Sequence, residues 1–288
     1  MRNRIIRTGL AALFVWGALS GCSDDSATGP DNNQKTPPAL PSVSTMQPAL
    51  DFYGVEAPTL DPQSLATGKP SDAMLRSAPG DHSNWINAYV RAVFISLATY
   101  DLLDEPIAAF AIAVHSVPQA QDDGSYLWTY IFVDNEIEYS VFLYGTPGDG
   151  AVAWRMEVSS NNPAQPLDHF VWFEGESRRD NTAGYWQFYQ PVGETDGTEV
   201  VRIDWTRAGR HEGTLVLTVN GSGLENEGDT LTFTETMRTG SIEYYDASAD
   251  FRSVILWRAN GTGSIKVPDY NEGQPACWDG HQINVACE

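Results

Sequence analysis

The sequence predicts a mainly β protein: an antiparallel meander of about eleven strands curled into an open or closed barrel, with two N-terminal helices covering it. After Ser116, short runs rich in aromatic and β-branched residues alternate with turn residues, and helical periodicity occurs only before them. The connections are too short to contain helices, so neighbouring strands must pair antiparallel. A strongly twisted sheet of this size tends to curl and bury its concave face.

The chain begins with the features of an exported precursor. Arg2, Arg4 and Arg7 precede a short apolar run at residues 10–19. This run is too short to cross a bilayer, because a membrane-spanning helix needs about 20 apolar residues. Residues 1–21 are therefore predicted to form a cleaved signal peptide.

The motif Leu19-Ser20-Gly21-Cys22 ends this peptide. It resembles the lipobox of bacterial lipoprotein precursors at all four positions. The resemblance implies that the thiol of Cys22 receives a diacylglycerol, that the peptide is cut before it, and that fatty acyl chains hold the protein on a membrane. Ser23 after the cysteine resembles outer-membrane sorting in enterobacterial lipoproteins, with the periplasmic or surface face left open. The alternative is a cysteine that merely follows an ordinary signal peptide.

The mature chain is predicted to have two parts. Residues 22–48 are polar and rich in proline, which is typical of a flexible linker. Residues 49–288 are predicted to form a single domain, since 42% hydrophobic and 11% aromatic residues are sufficient for a substantial core. The net charge of −21 argues against nucleic acid as a partner and against a basic membrane-docking face.

Two helices are predicted ahead of the strands. Residues 84–103 carry apolar side chains at i, i+4 spacing in two adjacent rows. Asp104 is a suitable N-cap for a second helix with Pro106 in its first turn.

Eleven strands are predicted from alternation and from turn residues between them. They lie near residues 126–133, 139–144, 151–159, 169–174, 184–189, 199–206, 214–220, 230–236, 241–245, 253–259 and 262–267. The first is apolar on both faces, because Leu127, Ile131 and Val133 alternate with aromatic residues. Its second face is therefore predicted to be partly covered by the helices.

This order of elements is similar to that of the periplasmic lipoprotein-carrier proteins and their outer-membrane receptor, which fold as unclosed β-barrels with a helical lid. The resemblance is architectural, covers residues from about 84 to 267 and rests on no motif. It therefore implies no residue-level function.

The three cysteines fit an oxidising compartment. With Cys22 lipidated, Cys277 and Cys287 remain as an even pair, for which a disulfide is predicted. A two-cysteine metal site with His281 is the alternative, although the C-x-x-C spacing is missing. No metal or other cofactor is predicted.

Catalytic signatures are weak. The chain has no G-x-S-x-G elbow, and its five histidines are scattered, which leaves open a triad assembled in space around His169 or another histidine. Asn220 to Asp229 is the best stretch for calcium, but its spacing favours an ordinary acidic loop. Glu174 and Asp204, candidate glycosidase carboxylates, are more simply explained as outward polar residues of strands.

Tryptophans in the predicted strands are the candidate ligand-contacting residues, with core packing as the alternative reading. They are Trp128, Trp154, Trp172, Trp186 and Trp205, with Trp257 in a later strand. The leading hypothesis is a non-enzymatic envelope lipoprotein that binds an apolar or amphiphilic ligand, such as a lipid, in its curved sheet. A surface module that binds glycans or proteins is the second hypothesis, and a hydrolase is the third.

Overall fold

One antiparallel sheet of 14 strands dominates the computed structural model, and each strand pairs with the next along the chain. The structure describes residues 36–47, 62–77, 81–134, 136–192, 195–209, 211–224 and 226–287. Within these residues the first and last strands do not pair with each other. The predicted antiparallel meander is thus confirmed, in an open form.

The predicted strands correspond to β2–β12. The 14 strands are β1 (Gln119–Ala120), β2 (Tyr126–Asp134), β3 (Ile137–Pro147), β4 (Ala151–Ser160), β5 (Leu167–Arg178), β6 (Ala183–Val192), β7 (Thr195–Gly209), β8 (Glu212–Val219), β9 (Thr230–Glu235), β10 (Thr239–Asp246), β11 (Phe251–Arg258), β12 (Gly263–Lys266), β13 (Ala276–Trp278) and β14 (Asn284–Val285). Strands β1, β13 and β14 were missed because runs of two or three residues carry no periodicity.

In the described part of the chain, three α-helices precede the sheet: α1 (Pro62–Thr67), α2 (Asp72–Ser77) and α3 (Ser83–Ala113). The prediction of two separate helices around Asp104 was wrong, since α3 is continuous and contains Pro106. A proline inside a helix costs about 3 kcal/mol. Buried residues on both sides of it, such as Leu103 and Phe110, offset this cost. No helix in the described part of the chain is both long and apolar enough to cross a membrane.

Helix α3 crosses the concave face of the sheet. Near its start, the ring of Trp85 lies 5.6 Å from that of Trp278 in β13. Near its end, the ring of Phe110 lies 5.5 Å from that of Trp186 in β6. Small side chains permit this close approach of the helix to the strands. Among the α3 side chains that the structure describes, the fully buried alanines are Ala88, Ala92, Ala109 and Ala113.

The outer face of β2 is not covered as predicted. Ile131 and Val133 are 63% and 65% exposed, because α3 packs only on the concave side. The inward residues of the same strand include Trp128, which is 3% exposed. The helix therefore buries one face of the sheet and leaves the other in solvent.

Tryptophan and glycine residues face each other across neighbouring strands. A Cβ atom at Gly240 would lie 2.2 Å from Cε2 of Trp257, so only glycine leaves room for this indole ring. Glycines covered by aromatic rings let a sheet bend sharply. The cross-strand pairs are Gly145–Trp154, Trp154–Gly175, Gly175–Trp186, Gly184–Trp205, Gly240–Trp257, Trp257–Gly263 and Gly263–Trp278.

The predicted linker, residues 22–48, includes a segment that packs on the domain. A short 3-10 helix, Val43–Thr45, precedes Met46, which is fully buried. The indole Nε1 of Trp186 donates a hydrogen bond of 3.1 Å to Oγ1 of Thr45. Isolated apolar residues among prolines gave no periodic signal, which is why this contact was not predicted. Cys22 lies outside the described residues.

The C-terminal segment holds the start of α3. The predicted disulfide between Cys277 and Cys287 is present. Nδ2 of Asn84 donates a hydrogen bond of 2.7 Å to the carbonyl oxygen of Cys277. Oδ1 of Asn284 in β14 accepts one of 3.0 Å from the backbone N–H of Asn84. These bonds satisfy backbone and side-chain groups at the helix N-terminus.

Candidate functional site

Two apolar cavities lie between α3 and the concave face of strands β7–β11. The larger cavity has a volume of about 360 Å³ and is walled by aliphatic side chains that include Ile242, Ile255 and Val267. The smaller has a volume of about 180 Å³, with Leu217 and Leu231 in its wall. The apolar interior is therefore not completely filled along this part of the helix.

The two cavities adjoin each other. Phe94 and Ile95 of α3 and Tyr244 of β10 line both of them. Ligand pockets have volumes of about 300–1,000 Å³, so the larger cavity is of ligand size and the smaller one is an extension of it.

A buried carboxylate lies at the smaller cavity. Asp229 is 5% exposed, and the hydroxyl of Tyr244 donates a hydrogen bond to its Oδ2. The backbone N–H of Ala247 donates a second hydrogen bond, of 2.9 Å, to its Oδ1. Burial, followed by the hydrogen bond to Asp229 and the charge of that residue, raises the pKa of Tyr244. The hydroxyl of Tyr244 thus keeps its proton and is held in a fixed orientation as a hydrogen-bond donor.

A buried arginine lies at the larger cavity. The side chain of Arg91 is 11% exposed, and its Nη1 donates a hydrogen bond of 2.9 Å to the carbonyl oxygen of Gly68. Its Nη2 lies 3.2 Å from Oδ1 of Asp269, whose other oxygen lies 2.5 Å from Nζ of Lys69. Burial lowers the pKa of Arg91, and the charge of Asp269 opposes this shift. Burial would raise the pKa of Asp269, but the two cations outweigh it and lower that pKa.

Similarity to known proteins does not identify a family for this chain. Comparison of the chain with protein-family models, with curated proteins and with solved structures finds no match. The site must therefore be interpreted from its own geometry and chemistry.

The predicted ligand-contacting tryptophans lie in the core. Each is at most 4% exposed, and none is among the described residues that line the two cavities. Four of them contact glycines of neighbouring strands, Phe110 of α3 or each other, and Trp172 packs against the ring of Tyr139. They form no exposed platform for sugar rings. The residues concerned are Trp128, Trp154, Trp172, Trp186 and Trp205, and Trp257 is buried likewise.

His169 lies on the convex face of the sheet. Its Nδ1 is 3.0 Å from Oε2 of Glu157, and its ring stacks on that of Phe142 with centroids 4.8 Å apart. Oγ of Ser159 accepts a hydrogen bond from the backbone N–H of His169 rather than from its ring. This arrangement lacks the serine-to-imidazole contact that a hydrolytic triad needs.

The candidate glycosidase carboxylates are outward residues of strands, as the alternation predicted. Oε1 of Glu174 is 2.5 Å from Nη1 of Arg155, and Oδ1 of Asp204 is 2.7 Å from Nη2 of Arg202. Both pairs are substantially exposed. Neither carboxylate lines the cavities described above.

The predicted acidic loop is not arranged around a metal site. Glu227 accepts a hydrogen bond of 2.9 Å from the backbone N–H of Gly223, while Asp229 points inward to Tyr244. Glu225 lies outside the described residues. Across the described part of the chain, no group of three or more His, Cys, Asp or Glu side chains is placed to hold a metal ion.

The residues that line the cavities were missed as a site, although one signal was present. Arg91 is the first charged residue of α3, and Asp101 is the next. A charged residue in the middle of such a helix indicates either a specific partner or a site. Asp229 gave no comparable signal, because it belongs to an acidic loop in the sequence.

Proposed function

We propose that this chain is a non-enzymatic binding protein of the bacterial cell envelope that holds an apolar or amphiphilic small molecule between α3 and strands β7–β11. The observation that carries the proposal is the pair of adjoining cavities with aliphatic walls. Protein interiors are normally close-packed, and apolar cavities of about 150 Å³ already bind small apolar molecules. The larger cavity exceeds this volume more than twofold.

Polar groups at the two cavities favour an amphiphile over a plain hydrocarbon. Arg91 and Asp269 line the larger cavity, while Asn226 and Asp229 line the smaller one. Ligand sites typically combine an apolar wall with a few polar groups that fix orientation. A molecule with one polar end and an apolar chain matches this distribution.

The cavity proposal is tested with two variants of the same strand. Ile242 points into the larger cavity and is 2% exposed, whereas its neighbour Ser241 faces the convex side. We expect Ile242→Trp to fill the cavity and to weaken binding of the fluorescent apolar probe N-phenyl-1-naphthylamine at least about tenfold. The matched variant Ser241→Trp should bind the probe like the wild type.

The mature protein with Cys22→Ser, which lacks the lipid, is suitable for these measurements. Mass spectrometry of an organic extract of the same protein should detect a co-purified amphiphile in the wild-type background and less of it in Ile242→Trp. If the wild type binds no probe and carries no amphiphile, or if both tryptophan variants bind equally, the proposal is wrong.

Membrane attachment through Cys22 is part of the same proposal. It is supported by the lipobox resemblance and by the need of a carrier of lipid-like molecules to remain near a membrane. Cys22→Ser should release the protein from the membrane fraction, and mass spectrometry should find two or three acyl chains on the wild type. Cys287→Ser is the matched control, since it removes a cysteine without affecting attachment. An unmodified thiol at position 22 would contradict the proposal.

The other two functions have less support. A surface module that binds glycans or proteins was motivated by the tether and the aromatic strands, and the tryptophans of the described strands are buried. A hydrolase was expected to place His169 or another histidine beside Ser and Asp in a cleft, whereas the ring of His169 contacts Glu157 and Phe142 on the convex face.

A further inference from the structure

The charges at the larger cavity narrow the class of ligand. Resting on the proposed function, we propose that the ligand is an anionic amphiphile, with a carboxylate or phosphate head group that is recognised by the guanidinium of Arg91.

The first argument is the local charge balance. Of the described residues that line the larger cavity, Arg91 and Asp269 carry the charges. Asp269 is shared, because Lys69 contacts its other oxygen at 2.5 Å. Two cations and one anion leave one positive charge beside this apolar space, in a chain whose net charge is −21. An anion is the ligand that completes this balance.

The second argument is the incomplete hydrogen bonding of the guanidinium. Arginine has five N–H groups, and the contacts with Gly68 and Asp269 use two of them. Nε is buried and has no partner among the described residues. Because burial removes water from Arg91, it also lowers the pKa of this side chain. Carboxylate and phosphate oxygens are the acceptors that match a guanidinium best.

The third argument is the orientation that the two cavities impose. A chain extending from Arg91 would pass Phe94 and Ile95 towards the smaller cavity, where Asp229 lies. The carboxylate of Asp229 repels an anion at that end. The head group is therefore placed at Arg91, with the chain against the aliphatic wall.

The test compares ligands that differ only in the head group, on the mature protein carrying Cys22→Ser at pH 8, where a carboxylic acid is ionised. Dodecanoate should bind the wild type about tenfold to a hundredfold more tightly than dodecanol, which is the effect of a hydrogen bond to a charged group. Arg91→Met should abolish this preference, so that the affinity for dodecanoate falls to about that for dodecanol. Arg202→Met, on the convex face, is the control and should keep the preference.

Asp269→Asn should change the head-group preference in the direction opposite to Arg91→Met. The variant removes the carboxylate that competes for Arg91, so the preference for dodecanoate over dodecanol should increase.

Lysophosphatidylglycerol with a dodecanoyl chain identifies the source of the anion. Tighter binding than dodecanoate assigns the site to a phospholipid head group, and weaker binding assigns it to a free fatty acid. Both outcomes support the inference if Arg91→Met removes the preference of the protein for the anionic ligands over dodecanol.

The inference is overturned if the wild type binds dodecanoate and dodecanol equally, or if Arg91→Met weakens both to the same extent. Equal weakening would show that Arg91 only joins α3 to the segments around Gly68 and Asp269. In either case the binding of dodecanol would still support the apolar cavity. Failure of both ligands to bind the wild type would instead remove the proposed function itself.

Discussion

The contact between Gly240 and Trp257 provides a sharp test of how the sheet is built. A Cβ atom at position 240 would lie 2.2 Å from Cε2 of the indole, well inside van der Waals contact. Relieving this overlap requires the ring to move by more than about 1 Å. Trp257 is only 3% exposed, and its other cross-strand partner is Gly263 in β12. Overpacking of a buried site costs about 1–3 kcal/mol, and we expect Gly240→Ala to lie near the upper end.

Urea unfolding followed by tryptophan fluorescence measures this cost. Gly148→Ala is the matched control, because a Cβ there would meet only the carbonyl oxygen of Ala151, at 3.7 Å. This control should change the free energy of unfolding by no more than about 0.5 kcal/mol. In the double variant Gly240→Ala/Trp257→Leu the overlap is gone, so its cost should be at least about 1 kcal/mol below the sum of the single variants. Strict additivity, or equal effects of the two glycine variants, would refute the proposed packing.

Three further predictions concern the helix, the C-terminus and acid stability. Phe110→Ala should lower the free energy of unfolding by about 3–5 kcal/mol in urea, because this fully buried ring anchors α3 on the sheet; a loss below about 1 kcal/mol would contradict that docking. Reducing the bond between Cys277 and Cys287 should cost about 3 kcal/mol, or roughly 6–12 °C in Tm, while a reductant should not change the Tm of the variant with both cysteines replaced by serine. The hydrogen bond from the Ser83 hydroxyl is the main reason that the pKa of Asp81 lies below its ordinary value of 3.8. The ionised carboxylate of Asp81 therefore stabilises the fold above pH 3.8, and this stabilisation is lost as the pH falls through the folded-state pKa. The free energy of unfolding should therefore fall less steeply in that pH range for Asp81→Asn than for the wild type.

The sheet could be predicted from the sequence because its inward residues alternate. In β4, Trp154, Met156 and Val158 are buried, while the intervening Arg155 is exposed. The same alternation predicted β2–β12, and the short turns between these strands predicted that each pairs with the next along the chain. The glycine–tryptophan pairs were not predictable in this way, because identifying them requires the register between strands. Alternation within one strand does not reveal which residue lies opposite.

The helical region shows a different limit of sequence reasoning. Asp104 and Pro106 carry the local signals of a helix start, and the carboxylate of Asp104 does accept a hydrogen bond of 2.8 Å from the N–H of Glu105. The helix nevertheless continues through this point, because Ile107 and Phe110 are buried beyond it. Tertiary packing thus overrides a local capping signal. Arg91 could be recognised from its apolar surroundings, but its partner Asp269 is 178 residues away along the chain.

The cavities and the tryptophans lie at opposite ends of the same inward-facing rows. In β7, Trp205 packs against Gly184, whereas Val201, four residues away on the same face, lines the smaller cavity. In β11, Trp257 packs against Gly240, whereas Ser253 lines the larger cavity. Four residues of a strand span about 13 Å, which is the distance between the end of the row filled by a tryptophan and the end that lines a cavity. The tryptophan rows therefore bound both cavities on one side. A ligand chain that extends from Arg91 past Phe94 and Ile95 would cross the strands on the open side of that boundary.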